Sequence, residues 1–202
     1  MNKGVLYVLS APSGCGKGTV LKEIFARNNN IYYSVSATTR SPREGETDGV
    51  NYFFVSKEKF EELIASGGML EHAQFCGNYY GTPKKKVMDE LESGRDVILE
   101  IETAGAMKVK AAYPQAVLIF MLPPSLATLK KRLTGRGTDS EEVIAKRISE
   151  AEREINMSYK YDYVFVNDDL SDAVSSLEMI MKSAKYLVNQ NDDLIKGVLQ
   201  KC

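Results

Sequence analysis

The sequence predicts an α/β protein with a mainly parallel sheet covered by helices. Two observations support this. Short, continuously apolar runs alternate along most of the chain with segments of helical periodicity, and strands buried on both faces read as continuous apolar runs. The first of these runs also feeds straight into a glycine-rich turn, from which the first helical pattern starts.

Val5 to Ser10 is the first predicted strand, and residues 17–28 carry the first helical pattern. Between them the chain reads Ala11-Pro12-Ser13-Gly14-Cys15-Gly16-Lys17-Gly18-Thr19. Gly14 and Gly16 open backbone geometries closed to residues with a Cβ, so successive amides can turn toward one anion. Lys17 adds a compact positive charge suited to β and γ phosphates, and the helix contributes its positive dipole end. The turn departs from the strict P-loop pattern in two places. Ala11 stands where the first glycine belongs, and Gly18 stands where a hydroxyl residue belongs, with Thr19 one place later. The strand–turn–helix context still makes Ala11 to Thr19 a cradle for nucleotide phosphate. A plain surface turn would leave Pro12, the two glycines and Lys17 unexplained in that order.

Further strands are predicted at Val97 to Ile101, Ala116 to Met121 and Tyr163 to Val166, and further helices at about 103–112, 125–133, 140–157 and 171–189. The phosphate turn then lies at the carboxyl edge of the sheet, where α/β ligands bind. Two stretches break the alternation. Residues 36 to about 94 hold Tyr52-Phe53-Phe54-Val55, a helix-like Lys57 to Ala65, and the turn-rich Gly77-Asn78-Tyr79-Tyr80-Gly81; they read as a lobe. Residues 126 to about 153 carry Arg132, Arg136, Arg147 and Arg153 around Gly135-Arg136-Gly137, and read as a lid. The core then comprises about residues 4–35, 95–125 and 154–187 of a single domain, followed by a polar, fraying tail at 189–202.

Composition narrows the function classes. The 202 residues are 44% hydrophobic and 26% charged with a net charge of −1, an ordinary globular balance whose overall field favours neither nucleic acid nor an anionic membrane. No apolar run approaches the roughly 20 residues that span a bilayer, and Met1-Asn2-Lys3 leads straight into a core-type strand. Cys15, Cys76 and Cys202 form no disulfide framework and no metal-ligand spacing, so a cytoplasmic location is expected. His72, the single histidine, lacks partners for a metal or catalytic role and reads as structural. Lys84-Lys85-Lys86, at the start of a helical pattern, reads as a solvated face.

A second anion site is suggested by Arg40 and Arg43, which flank the proline-stiffened turn of Val35-Ser36-Ala37-Thr38-Thr39-Arg40-Ser41-Pro42-Arg43. Planar guanidinium forks suit phosphate oxygens, and two phosphate sites imply two phosphorylated substrates. Over about residues 4–187 the chain resembles the guanylate kinases. The resemblance is carried by Ser10 to Thr19, Val35 to Arg43, Tyr52 to Val55, Leu70-Glu71-His72-Ala73, Gly77 to Thr82, Leu122-Pro123-Pro124-Ser125, Arg132 to Gly137, and Val166-Asn167-Asp168.

The resemblance implies the P-loop nucleoside monophosphate kinase fold, with a monophosphate-binding lobe and a lid. The reaction it implies is ATP plus GMP giving ADP plus GDP with Mg2+, dGMP being a further acceptor. It assigns the GMP phosphate to Arg40, Arg43 and Tyr80, with Ser36 and Tyr52 beside them, and the base to Glu71 and Thr82. The chemistry agrees, because guanine's adjacent N1–H and N2–H donors match a carboxylate and its O6 can accept from a hydroxyl. A site built on such bonds rejects a base lacking them by about 10⁴-fold. Lys17, Arg132, Arg136 and Arg147 are suited to stabilise the migrating phosphoryl group, Asn167 and Asp168 resemble adenine-side contacts, and Thr19 would face the metal through water.

One stretch departs from the family pattern. After the strand, the family shows an acidic residue and then Asp and Gln before Gly, where this chain has Glu100-Ile101-Glu102-Thr103-Ala104-Gly105. Glu102 keeps the charge on a longer stem and Ala104 loses an amide, which bears on GMP positioning. Two rival readings remain at this level: a non-catalytic guanylate-kinase-like module that binds phosphorylated partners, and a kinase for another nucleoside monophosphate. The intact Lys17 argues against the first, and Glu71 with Thr82 against the second. Cys15 has two readings as well, a thiol activated by the helix N-terminus or an inert filler. The oligomeric state stays open.

Overall fold

The computed structural model describes residues 3–135 and 139–200; Arg136, Gly137 and Cys202 lie outside the described residues. In chain order the elements are β1 (Leu6–Ser10), α1 (Lys17–Arg27), β2 (Ile31–Tyr33), β3 (Ala37–Thr38), β4 (Phe53–Phe54), α2 (Lys57–Ala65), β5 (Met69–Phe75) and β6 (Asn78–Pro83). They continue with α3 (Lys84–Glu92), β7 (Asp96–Glu100), α4 (Thr103–Ala112), β8 (Val117–Leu122), α5 (Leu126–Thr134), α6 (Glu141–Met157), β9 (Tyr163–Val166), α7 (Leu170–Ala184) and α8 (Asp192–Leu199). A five-stranded sheet has the order β2-β7-β1-β8-β9, and a four-stranded sheet the order β4-β3-β6-β5. The pairs β2/β7 and β8/β9 are parallel, as the alternating pattern predicts. In the second sheet β3 pairs parallel with β4 and antiparallel with β6, which pairs antiparallel with β5.

The chain divides into two compact units, one of Met1–Val8 with Asn30–Ala116 and the other of Leu9–Asn29 with Val117–Cys202. In the first unit, the buried carboxylate of Asp96 accepts from the Val5 amide at 3.0 Å, and the Val97 amide donates to the Val5 carbonyl at 3.0 Å. The β5–β6 hairpin needs a glycine at position 81, where a Cβ would meet the Glu71 carbonyl oxygen at 2.6 Å. In the second unit α5 and α6 pack through Leu129, Leu133, Ile144 and Ala151. Serine side chains cap α5 and α6 from Ser125 and Ser140, and Asp169 caps α7; each cap is worth about 1 kcal/mol.

The four predicted strands and five predicted helices are all present, with ends shifted by a few residues, and the helix at Lys57–Ala65 lies where periodicity puts it. Two differences have physical reasons. The sheet takes a fifth strand, β2, whose three residues are too few to show a period beside Asn28-Asn29-Asn30. Residues 192–199 form α8 where a fraying polar tail is predicted: Leu194, Ile195, Val198 and Leu199 recur at helical spacing, but over two turns only and directly after the polar run Asn189 to Asp193. Lys84, Lys85 and Lys86 are exposed as predicted; Lys85 pairs with the exposed Asp89 one turn on, whereas Lys86 pairs with the buried Glu90.

Candidate functional site

The phosphate cradle lies within the second unit, between the end of β1 and the start of α1. Gly14 and Gly16 have φ of +88° and +91°, the left-handed conformation the sequence requires of them. Gly16 is the N-cap of α1 and no side chain caps the helix, while the Thr19 amide turns back onto the Gly16 carbonyl at 3.1 Å. A Cβ at Gly14 would meet Leu133 Cδ2 at 2.7 Å, so the turn rests on the α5–α6 core. Ala11 is half-buried, Pro12 is buried, and Ser13, Gly18 and Thr19 are exposed, with nothing within 4 Å of a Cβ at Gly18. Lys17 is half-buried in the first turn of α1.

Asn167 braces this turn. Its side-chain Nδ2 donates to the Cys15 carbonyl at 2.7 Å, and that nitrogen sits where a Cβ at Gly16 would come within 2.7 Å. Asp168 is exposed beside it. Arg132, in the last turn of α5, donates to the carbonyls of Asn167 at 3.0 Å and Asp168 at 3.5 Å. From α6, Arg147 donates to Ser13 Oγ at 3.3 Å and lies 3.6 Å from Asp139. Arg132 thus bonds to the chain just after β9 and Arg147 to Ser13 of the cradle itself.

The activated-thiol reading of Cys15 is overturned. The thiol is fully buried and donates to the Met121 carbonyl at 3.6 Å. Burial pushes its pKa up to about 11, more than the nearby charges of Arg132 and Lys17 pull it down. Cys15 is a filler under the turn.

The first unit holds the residues assigned to the second substrate. Glu71 on β5 stands opposite Thr82 on β6, both buried, and the Thr82 hydroxyl donates to Glu71 Oε1 at 2.8 Å. That single proton is committed to the carboxylate, so in this arrangement Thr82 orients Glu71 and does not also donate to a base. Gly105 on α4 makes room on the other side: a Cβ there would lie 3.2 Å from Glu71 Oε2. Burial raises the Glu71 pKa, the Thr82 bonds and the Lys108 charge lower it, and Glu102 raises it. Glu102 is the exposed N-cap residue of α4, and Ala104 is exposed as well.

Arg40 lies in a polar and aromatic corner of the same unit. Its guanidinium makes a bidentate pair with Glu46 at 2.8 and 2.9 Å and sits 5.4 Å from the Tyr52 ring centroid. Tyr80 packs edge-on against Tyr52 at 6.1 Å. Glu46 also accepts from the Arg43 amide at 2.7 Å, while the Arg43 side chain is exposed. Hydrogen bonds from Arg40 hold the Glu46 carboxyl down to about 2. Ser36 is half-buried and its carbonyl accepts from the Phe53 amide at 2.9 Å.

Sequence reasoning missed Glu46, Gly105 and Lys108. Glu46 follows Arg43 by three residues, so a turn bonded back on itself was the available signal. Lys108 carried none, because its partner is a backbone carbonyl 36 residues away. Among the described residues no three His, Cys, Asp or Glu side chains gather as a metal cluster, and no helix is long and apolar enough to cross a membrane.

Comparison with known proteins agrees with this geometry. A family model described as guanylate kinase matches residues 3–184. A guanylate kinase of Clostridioides difficile is 52% identical over 195 residues, covering 96% of this chain and 95% of its own. One of Carboxydothermus hydrogenoformans is 50% identical over the full length of both. The crystal structure of guanylate kinase from Anaplasma phagocytophilum superposes with a TM-score of 0.72 at 35% identity, over 92% of this chain and 88% of that one.

Proposed function

This chain belongs to the guanylate kinase family and is an ATP:GMP phosphotransferase, and from that premise we propose how its residues divide the work. Ala11 to Thr19 take the phosphates of ATP, with Lys17 set against the β and γ groups. Arg132, Arg147 and Arg136 supply positive charge to the migrating phosphoryl group. Asn167 acts through the turn it braces, and Asp168 beside it serves the adenine side. In the first unit Glu71 accepts from guanine N1–H and N2–H while Thr82 fixes its orientation. Arg40 and Arg43, with Tyr52 and Tyr80, hold the GMP phosphate, and Ser36 and Glu102 complete the site.

A GMP phosphate oxygen attacks the γ phosphorus in line, a new P–O bond forms, and the bond to the β-bridging oxygen breaks to release ADP. That oxygen is already a nucleophile, so the residues position and neutralise and no general base is needed. Mg2+ suits this donor set when carried by ATP phosphates and water, with the exposed Thr19 hydroxyl reaching it through water. It would supply charge to the phosphates as they approach. Residues 36–94 as a GMP lobe, 126–153 as a lid, and a cytoplasmic location belong to the same proposal.

The observation that carries the base assignment is the buried Glu71 carboxylate, fixed by Thr82 and faced by a residue without a side chain at Gly105. ADP release should be measured with GMP, dGMP, AMP and UMP as acceptors. Turnover with the guanine nucleotides and a loss of about 10⁴-fold with AMP and UMP is expected. Comparable rates with AMP would overturn the assignment of the base site, and ligand binding without turnover would favour the phosphopeptide-type module.

A further inference from the structure

We propose that Lys108 is a positioning residue for the base-reading carboxylate: from α4 it fastens to the β5 backbone next to Glu71 and keeps that side chain in its ionised, guanine-accepting form. The inference rests on the assignment of Glu71 as the guanine acceptor and adds a residue that neither the motifs nor the resemblance singles out.

Lys108 Nζ donates to the carbonyl of His72 at 2.6 Å, and His72 directly follows Glu71 in β5. The helix carrying Lys108 packs on that strand. One turn earlier on α4, the Gly105 backbone comes close enough that a Cβ would lie 3.2 Å from Glu71 Oε2. The ammonium is therefore tied to the strand beside a buried carboxylate.

Reading guanine requires the charged form, since two N–H donors need two acceptor oxygens and a protonated acid turns one of them into a donor. Burial works against that form. The groups facing Glu71 are the neutral Thr82 hydroxyl from β6 and, from α4, the charges of Lys108 and Glu102. Glu102 opposes ionisation and Lys108 offsets it. Without the lysine, Glu102 acts on Glu71 unopposed by any of these charges, and only the Thr82 bonds favour the carboxylate.

The test compares wild type, Lys108→Met, Lys108→Arg and Glu71→Gln. For each, kcat and KM for GMP and for ATP are measured from pH 6 to 8.5 and expressed as ratios to wild type at each pH, so the ionisation of GMP's own phosphate cancels. Lys108→Met should raise KM for GMP up to about tenfold at pH 6, the ceiling if the lysine changes the acid dissociation constant of Glu71 by about tenfold, with the ratio returning toward one by pH 8.5. KM for ATP and kcat at saturating GMP should stay within about twofold of wild type, and Lys108→Arg should restore the profile. A loss in Lys108→Met that is the same at every pH would reduce Lys108 to a structural tether and overturn the proposal, as would no change at all. Glu71→Gln should impair GMP use at every pH. If it does not, the assignment of Glu71 itself fails, whereas a damaged Glu71→Gln beside a normal Lys108→Met overturns only the role of Lys108.

Discussion

Replacing Gly16 by alanine should destabilise the second unit by about 2–5 kcal/mol, and two terms of the structure produce that figure. Gly16 has φ of 91° and ψ of 19°, and the left-handed region costs a residue with a Cβ about 1–2 kcal/mol. The new methyl would also lie 2.7 Å from Asn167 Nδ2, closer than real Cβ contacts allow. Asn167 must retreat and give up its 2.7 Å bond to the Cys15 carbonyl, and leaving such a buried pair unmatched costs about 1–3 kcal/mol. Urea unfolding monitored by circular dichroism measures the total, and KM for ATP reports the distortion of the cradle. Gly18→Ala is the control. That position has no positive φ, meets nothing within 4 Å and lies in α1, so alanine there should stabilise by up to about 1 kcal/mol. In the Gly16→Ala background, Asn167→Ala should cost clearly less than it does alone, because the bond it removes is already broken. A loss below about 1 kcal/mol for Gly16→Ala, or additive effects in the double variant, would refute the argument.

Glu46→Gln should weaken the acid dependence of stability. Because the folded Glu46 carboxyl titrates near 2 and the unfolded one near 4.5, the pair stabilises fully above about pH 4.5 and loses its contribution as pH falls through 2; equal acid-unfolding profiles in wild type and variant would contradict this. The same variant leaves Arg40 without its bidentate carboxylate, so KM for GMP should change while KM for ATP does not; a change confined to ATP would count against the phosphate assignment. Thr82→Val should lower stability by about 1–3 kcal/mol and raise KM for GMP, since it strips a buried carboxylate of its 2.8 Å donor; an unaltered KM for GMP would show that Glu71 needs no such orientation. In a variant with Cys76→Ser and Cys202→Ser, Cys15 should resist thiol reagents at pH 7 until the protein unfolds, because its thiol is buried and its pKa stands near 11; rapid modification of the native protein would contradict the filler role.

How far the sequence could be read depended on whether the physical cause was local. The cradle was legible because its demand is on the backbone of a few consecutive residues: only glycine meets φ near +90° at positions 14 and 16. Core strands were legible as continuous apolar runs and long helices by their period, whereas β2, with three residues, and α8, two turns long behind a polar run, were not. Chemistry could name candidate groups, as residue types able to meet phosphate or guanine. It could not name what holds them, because those partners come from topology: Asn167 reaches Cys15 across 152 residues, and Lys108 reaches His72 across 36.

The missed residues share a physical reason for being where they are. A charge intended for a substrate is costly to leave exposed to competing solvent orientations and costly to bury unpaired. In this protein several of the charges proposed to meet substrate are held by other groups of the chain. Arg40 is gripped by Glu46 in the same two-oxygen geometry a phosphate offers, Arg132 by two backbone carbonyls, Arg147 by Ser13 and Asp139, and Glu71 by Thr82. Fixing a side chain before the substrate arrives removes rotamer entropy from the binding step, which for a long side chain is about 0.5–1.5 kcal/mol. Under the proposed assignments the holding groups are as much a part of recognition as the groups they hold. Their removal should appear in KM for one substrate and not for the other, according to the unit in which each is held.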